Sequence, residues 1–295
     1  MDRDQLQTDI LALYAREHEE LGLQGTYEAL DRARQWDLSG VLDAGGVLVF
    51  PHVGVQDCGH QVAACVHACL DSGADRVLVV SVLHAFTDEM QDARVRVAAG
   101  EPPERFRHWG IQGPGLEGLQ NWKHDHVLMS WRHFWKAETE RRGIAGPTGQ
   151  GGPEVIERFP YLAGGKPEAL PGIEELVEIA KDAVIVSTAD AFHHGLGYGD
   201  PPAKSYPPDE EGLGLARKTI EEGIRLLERG DYWGYNQHCV EAKSDARDAG
   251  QVFRYLRGPM VGSIVDLTYS EADELYKAPK PTWVAAALMQ WEVKG

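Results

Sequence analysis

Two apolar runs with a helical stretch between them restrict the fold of this chain more than any other feature. The runs are "VLVF" at 47–50 and "VLVVSV" at 77–82, and "GHQVAACVHACLDS" at 59–72 is typical of a helix. A strand, a helix and a strand in this order form a βαβ unit, and strands without polar alternation are typical of parallel sheets covered on both faces. The sequence therefore predicts an α/β fold with a mainly parallel central sheet flanked by helices.

Further segments continue this alternation. Helices are predicted at 4–36, 209–230 and 245–257, and "AVIVSTADAFHHG" is interpreted as a third strand that ends in histidines. "TWVAAALMQWEV" predicts a last strand. We find no internal repeat and no linker that would divide the chain, so we expect a single domain over 1–295. The Gly-rich loop at 143–153 is a candidate lid over a site.

Composition excludes several classes of function. The net charge of −17 argues against binding to nucleic acid or to an anionic membrane, because both need a basic surface. No run of 18 or more apolar residues occurs, and the first residues lack the layout of a signal peptide. The four cysteines form no CxxC pair. We therefore expect a cytoplasmic protein, and the sequence leaves a homo-oligomer open.

Histidines follow each of the three predicted strands. His52 comes after the first, His84 after the second, and His193 and His194 end the third. Ligands of open α/β sheets bind beyond the carboxyl ends of the strands, where these side chains would meet. A single histidine after a strand is usually structural, but three at the same topological position predict a site. Imidazole nitrogen is a ligand for Fe, Zn, Cu and Ni.

A carboxylate would complete a ligand set of two histidines and one acid, which is the set of non-haem Fe(II) oxygenases. The segment "CVEAKSDARDAGQVF" offers Glu241, Asp245 and Asp248. If Ser244 caps the following helix, Asp245 lies in its first turn. Acidic residues are favoured at a helix start even without a metal, because of the helix dipole. Spacing favours Asp245 and leaves its two neighbours open.

Four segments together resemble the Memo family and its relatives, the class III extradiol ring-cleaving dioxygenases. "FPHVGVQDCGHQVAA" resembles the family's first histidine block, and "VLVVSVLHAF" resembles its second strand end, 32 residues further on. "HDHVLMSWRHF" places His126 on a family histidine. "VSTADAFHHG" places Asp190 and His193 on the family's aspartate and histidine. The resemblance covers roughly 45–255.

The resemblance implies roles for these residues. His52, His84 and Asp245 would bind the metal, and His193 would act as the acid and base, oriented by Asp190. Memo proteins carry a cysteine where this chain has Asp245, whereas the dioxygenases carry a glutamate there. The carboxylate therefore favours the oxygenase set. The loop that carries His84 also departs from the family pattern, because "SVLH" replaces "PSH".

Other residues are candidates for contact with a substrate. His126 could act in catalysis beside the metal, and Trp131, His194 and Tyr198 are candidate binding residues. The segment that holds His126 and Trp131 is rich in aromatic residues, so an aromatic wall that packs on the sheet is an alternative interpretation. Both interpretations agree with a mostly apolar pocket that holds a few polar groups.

These observations lead to three hypotheses. The first is an Fe(II)-dependent oxygenase that opens a catechol-like or aminophenol-like ring, with a small aromatic substrate and O₂ as its reactants. The second is a metal-dependent oxidase or hydrolase that acts on another substrate. The third is a Memo-like protein that binds a metal or a partner without catalysis. Fe(II) is the expected metal, with Zn, Cu or Mn as alternatives.

Overall fold

A computed structural model describes residues 3–84, 86–144 and 152–294, so most of the candidate lid at 143–153 lies outside the described residues. The strands are β1 (Val47–Phe50), β2 (Arg76–Val80), β3 (Gly110–Gln112), β4 (Glu154–Tyr161), β5 (Val184–Thr188), β6 (Phe192–Gly195), β7 (Met260–Glu271) and β8 (Thr282–Val293). The α-helices are α1 (Arg3–Ala33), α2 (Ser39–Asp43), α3 (Val55–Asp71), α4 (Asp88–Ala98), α5 (Met129–Arg141), α6 (Ile173–Ala180), α7 (Glu210–Glu228), α8 (Tyr232–Glu241), α9 (Arg247–Arg257) and α10 (Asp273–Tyr276). Helices and strands alternate along the chain, which confirms the α/β class.

The predicted βαβ unit is present as β1, α3 and β2. Both strands run parallel to β5, which lies between them and hydrogen-bonds to each. All of β1 and β5 and nearly all of β2 are buried, as expected for strands covered on both faces. The carboxyl ends of these three neighbouring strands therefore meet at one edge of the sheet.

The sheet is mixed, so the prediction of a mainly parallel sheet is wrong. Its order is β3-β4-β2-β5-β1-β8-β6, with β7 paired to β8. The four central strands β4, β2, β5 and β1 are parallel, but every pair that involves β3 or β8 is antiparallel. The reason lies in β8, whose residues 282–289 are all buried. An apolar run indicates burial on both faces, and it does not encode the direction of the strand.

The third predicted strand is in fact two strands. β5 ends at Thr188, and His193 and His194 lie on β6, which pairs antiparallel with β8. The chain turns between them at Asp190, whose carboxylate is the first polar group beyond the end of β5. The interpretation of His193 as a residue at a parallel strand end is therefore wrong, although β6 still lies at the same end of the sheet.

Helices cover the sheet on two faces. α1, α2, α3 and α5 pack on one another, and α7, α8 and α9 form a separate group. Neighbouring residues of a strand point to opposite faces. The ring of Phe50 stacks on Trp131 of α5, whereas the preceding Val49 faces α7, α8 and α9. The two groups of helices therefore lie on opposite faces.

The long helix α1 changes direction at Gly22, whose φ of 59° and ψ of −174° are not helical. Its first half crosses the sheet edge where β1 and β5 end, and in its second half Thr26 contacts α5 and Leu30 contacts α3. In the described ranges, no helix combines the length and the apolar composition that crossing a bilayer would need.

Candidate metal centre

His52 lies two residues beyond β1, and the end of β5 holds its ring in place. Its backbone N–H donates to Oδ1 of Asp190 at 3.0 Å, and its Nδ1 lies 3.0 Å from the hydroxyl oxygen of Thr188. The side chain is 2% exposed. A hydrogen bond at one ring nitrogen fixes which nitrogen is left for a metal. Here that nitrogen is Nε2, which has no hydrogen-bond partner among the described residues.

His84 lies four residues beyond β2, in a loop that a neighbouring aspartate holds. The backbone N–H of His84 donates to Oδ2 of Asp125 at 2.5 Å, and Oδ1 of Asp125 accepts from the N–H of Val127 at 3.1 Å. Thr87 ends this loop by capping α4, because its hydroxyl accepts from the N–H of Met90. The ring of His84 lies 5.1 Å from the ring of His52 between centroids.

The carboxylate of Asp245 lies beside the imidazole rings of both His52 and His84. Its Oδ1 accepts from the backbone N–H of Asp190 at 2.8 Å, which links the start of α9 to the turn after β5. Its Oδ2 lies 3.1 Å from Nε2 of His52 and 3.2 Å from Nε2 of His84. Asp245 precedes α9 by two residues and is not in its first turn as expected.

The two alternative carboxylates are elsewhere. Asp248, which is in the first turn of α9, accepts from the backbone N–H of Ala163 at 2.9 Å. Glu241 is exposed at the end of α8. Of the three acids that the sequence offered, Asp245 is the one that reaches both imidazoles.

The donor atoms of His52, His84 and Asp245 fit a metal ion. They lie within 4.8 Å of one another. Neighbouring ligands of an octahedral ion, each about 2.1 Å from it, lie about 3.0 Å apart, close to the two nitrogen–oxygen distances observed here. Oδ2 of Asp245 is also buried without a hydrogen-bond partner among the described residues. Two imidazoles and one carboxylate on one side of an ion leave other positions open.

The electrostatics of the site favour an additional positive charge. Burial alone would raise the pKa of Asp245, but the imidazoles of His52 and His84 hold that pKa well below its usual range. Burial alone would lower the pKa of His52, but the carboxylates of Asp190 and Asp245 raise it to about 9. In the metal-free protein a proton on His52 supplies the charge, and a bound cation would replace that proton.

His193 and His126 line the cleft beside these three residues. Nδ1 of His193 is buried and has no hydrogen-bond partner among the described residues, and its ring lies 4.9 Å from the ring of Tyr198. The ring of His126 lies 5.3 Å from that of His84. Burial lowers the pKa of His193, and burial together with His84 and His52 holds the pKa of His126 well below its usual value. Both rings are therefore neutral near pH 7.

Asp190 contacts His52 more directly than His193. Its Oδ1 accepts from the backbone N–H of His52, and its Oδ2 lies 3.4 Å from Nε2 of the same residue. A donor atom of His193 lies within 4.8 Å of the carboxylates of Asp190 and Asp245. Asp190 therefore holds His52, one of the three candidate ligands, and its expected role in orienting His193 stays a prediction.

Three residues were predicted to bind substrate, and the structure brings one of them to the cleft. Tyr198 lines it. His194 faces away, with Nδ1 3.0 Å from Oδ2 of Asp200 and Nε2 accepting from the backbone N–H of Tyr206. Trp131 is 1% exposed in the core, where it stacks on Phe50. For Trp131 the aromatic-wall interpretation describes the position better.

Several residues of the site were not identified from the sequence. Tyr14 lies in the first predicted helix, and its hydroxyl donates to the backbone oxygen of His52 while its ring lies 5.1 Å from that of His126. Glu17 and Tyr276 also line the cleft. Thr188 was detectable, because it is the last residue of a buried strand beside the predicted ligands.

No protein-family model matches the chain, and a sequence search of curated proteins finds no significant match.

Proposed function

We propose that this protein is a non-haem Fe(II)-dependent oxygenase that cleaves the ring of a catechol-like or aminophenol-like substrate. The observation that carries the proposal is the approach of two imidazole nitrogens to one carboxylate oxygen at 3.1 and 3.2 Å. His52, His84 and Asp245 would hold the iron. This set leaves positions for a chelating substrate and for O₂. The motif resemblance to the class III dioxygenases supports the same reaction.

The iron, when bound, would lower the pKa of a coordinated substrate hydroxyl and make O₂ reactive toward the ring. The released proton needs an acceptor within the cleft. His193 suits this role because its Nδ1 is buried without a partner among the described residues and its lowered pKa keeps the ring neutral. The same nitrogen can return the proton later in the reaction.

His126 and the tyrosines shape the space around the ring. His126 is neutral and lies between Tyr14 and His84, so it can donate a hydrogen bond to a substrate oxygen or stack beside the ring. Tyr14, Tyr198 and Tyr276 line the same cleft, and burial raises the pKa of each phenol, so that each stays protonated. These side chains orient an aromatic substrate and exclude water from it.

Anaerobic reconstitution with Fe(II) tests the proposal. The loaded protein is mixed with a panel of catechols and aminophenols, and O₂ is then added while oxygen uptake and the visible absorbance of ring-opened products are recorded. We expect coloured products and an equivalent uptake of O₂. His193→Gln should retain iron binding and lose turnover, whereas His194→Gln should retain both.

The other outcomes identify the alternative functions and overturn the proposal. Oxygen uptake without ring-opened products would indicate an oxidase that acts on another substrate. Hydrolysis of ester or amide probes by the Zn(II)-loaded protein would indicate a hydrolase. Stoichiometric metal binding without any turnover would indicate a Memo-like binding protein.

A further inference from the structure

The cleft in front of the metal ligands has an unbalanced charge. Among the described residues that line it, none is Lys or Arg, and two are glutamates, Glu17 and Glu271. Glu271 forms an ion pair with Lys280 outside the cleft. Glu17 forms no ion pair with a Lys or Arg within the described part of the chain. A carboxylate in a partly buried cleft without a fixed cation is costly unless a ligand supplies the positive charge.

Glu17 is held in a defined position. Its Oε2 accepts from the backbone N–H of Val55 at 3.2 Å, at the start of α3, where the helix dipole favours a negative charge. Its other oxygen, Oε1, has no hydrogen bond within the described part of the chain. Burial raises the pKa of Glu17 in spite of the hydrogen bond from Val55. One oxygen of the carboxylate is thus fixed, and the other can accept from a ligand.

Glu17 lies one helical turn from the residue that contacts the metal ligands. Tyr14 donates to the backbone oxygen of His52, and three residues along an α-helix correspond to a rise of about 4.5 Å. Aromatic and aliphatic side chains line the cleft that Glu17 shares with the candidate ligands, among them Leu13 of α1 and Leu275 and Tyr276 of α10. A ring that is chelated at the metal end would therefore point a short substituent toward Glu17.

The outer mouth of the cleft also carries an excess of negative charge. Leu13, Glu17, Glu271 and Leu275 also line an adjoining surface depression. Its remaining charged residues are the acids Asp9, Asp273 and Glu274 and the bases Arg16 and Lys277. Acids outnumber bases there, and the whole chain carries a net charge of −17. Such a field enriches cations at the entrance and repels anions.

We propose that the cleft selects a phenolic ring that carries an ammonium group on a short alkyl chain, and that Glu17 determines this specificity. The inference rests on the proposed function, because the ring is the group that would bind the metal. The ammonium donates a charge-assisted hydrogen bond to Oε1 of Glu17. A ring with a carboxylate substituent is disfavoured, because no basic side chain among the described lining residues can pair with it.

Binding of three matched probes to the full chain tests this inference without turnover. The probes are 4-(2-aminoethyl)catechol, the uncharged 4-ethylcatechol and the anionic 3-(3,4-dihydroxyphenyl)propionate. Calorimetry is done on the metal-free protein and on protein loaded with Zn(II), which is redox-silent. We expect the amine to bind at least about tenfold more tightly than 4-ethylcatechol, and the anion to bind most weakly.

Two variants separate a direct contact between the ammonium group and Glu17 from the negative electrostatic field of the whole protein. Glu17→Gln keeps an acceptor for the N–H of Val55 but removes the charge, so the preference for the amine should fall to about twofold or less. Glu20→Gln makes the same change of charge on the same helix, where the side chain is 57% exposed, and should keep the preference. Affinity for 4-ethylcatechol should be equal in all three proteins, which also reports that the cleft is folded.

Equal affinity for the three probes would overturn the inference, and so would a preference that survives in Glu17→Gln. The experiment separates the outcome for this substrate specificity from the outcome for the proposed oxygenase activity. Selective binding of the amine without ring opening by the Fe(II)-loaded protein would support the specificity and reject the oxygenase. Ring opening without any preference for charge would support the oxygenase and reject the specificity.

Discussion

Two buried carboxylates of this protein, Glu138 and Asp245, both face histidine nitrogens but differ in what balances their charge. The side chain of Glu138, on α5, is 0% exposed and lies 3.3 Å from Nδ1 of His67. Three guanidinium groups surround it, with nitrogen–oxygen distances of 3.1 Å to Arg34 and 2.7 Å to both Arg141 and Arg142. The chain itself therefore supplies the cations that Glu138 needs.

Asp245 faces two imidazoles, and no arginine in the described part of the chain forms an ion pair with it. Its Oδ2 faces the Nε2 atoms of His52 and His84, whose lone pairs can bind a metal when the rings are neutral. The kind of counter-ion therefore distinguishes a buried acid with a structural role from a buried acid that can bind a metal. An acid whose counter-ions are arginine side chains stabilises the fold, whereas an acid whose partners are imidazoles can exchange the proton on those rings for a cation from solution.

The largest expected effect is on metal binding. Asp245→Asn removes the charge and the anionic ligand, so stoichiometric binding of Fe(II) or Zn(II) should weaken by more than about a hundredfold. Competition with a chromophoric chelator gives the affinity, and elemental analysis gives the stoichiometry. Asp248→Asn is the matched control, because it keeps an acceptor for the N–H of Ala163 and should leave affinity unchanged. If Asp248→Asn alone lost the metal, the assignment of the ligand would be wrong.

The next effect is on stability and concerns Glu138. Glu138→Gln leaves three arginines and a histidine around an uncharged amide, so we expect the free energy of unfolding to fall by about 2–3 kcal/mol. Urea denaturation measures this loss. Glu140→Gln, two residues further along α5 and 65% exposed, should change stability by less than about 0.5 kcal/mol. Metal affinity should not change in either variant, and a loss of affinity in Glu138→Gln would remove the distinction between the two acids.

A smaller effect should come from the residue that orients His52. Thr188→Val keeps the shape of the side chain but removes the hydroxyl next to Nδ1, so the ring can rotate. We expect metal affinity to weaken by about tenfold. Ser187→Ala is the control, because its hydroxyl donates to the backbone oxygen of Val80 and its loss should affect stability without affecting affinity. Equal affinity of Thr188→Val and the wild type would show that the Thr188 contact does not position the ligand.

The sequence was sufficient to predict that these three candidate ligands lie together, because one simple rule relates the two histidines. His52 and His84 follow strands that are parallel and share β5 as a neighbour, so their ends had to meet. Asp245 was favoured by spacing, although its expected place in the first turn of the helix was wrong, because α9 begins two residues later. Apolar runs and helix starts are patterns of neighbouring residues, and such patterns indicate which residues lie at the end of a strand or helix.

Other features depend on the path of the chain and could not be predicted in this way. β8 pairs antiparallel with both β1 and β7, and β7 is a half-exposed strand that lacks a continuous apolar run. The proposed role of Glu17 depends on where α1 crosses the sheet edge, since the residue itself is like the exposed glutamates Glu19 and Glu20. His193 was assigned to the site by resemblance, but its strand β6 was hidden within what looked like one long strand.

The smallest expected effect is the pH dependence of the stability that Glu138 contributes. The arginines around Glu138 stay charged at every pH considered, so only the carboxyl group of these ion pairs titrates. Burial alone would raise the pKa of Glu138, but the guanidinium groups of Arg142 and Arg141 hold it below its usual value. A carboxyl whose pKa is lower in the folded state stabilises the protein above its ordinary pKa, about 4.3, and loses this contribution as pH falls through the folded value. The stability difference between wild type and Glu138→Gln should therefore be constant from about pH 7 to pH 5 and should shrink below about pH 4. Urea denaturation at each pH measures this difference, and Glu140→Gln should show no such change. A difference that instead shrank as pH rose would mean that Glu138 is protonated in the folded protein, and its arginines would then not be its counter-ions.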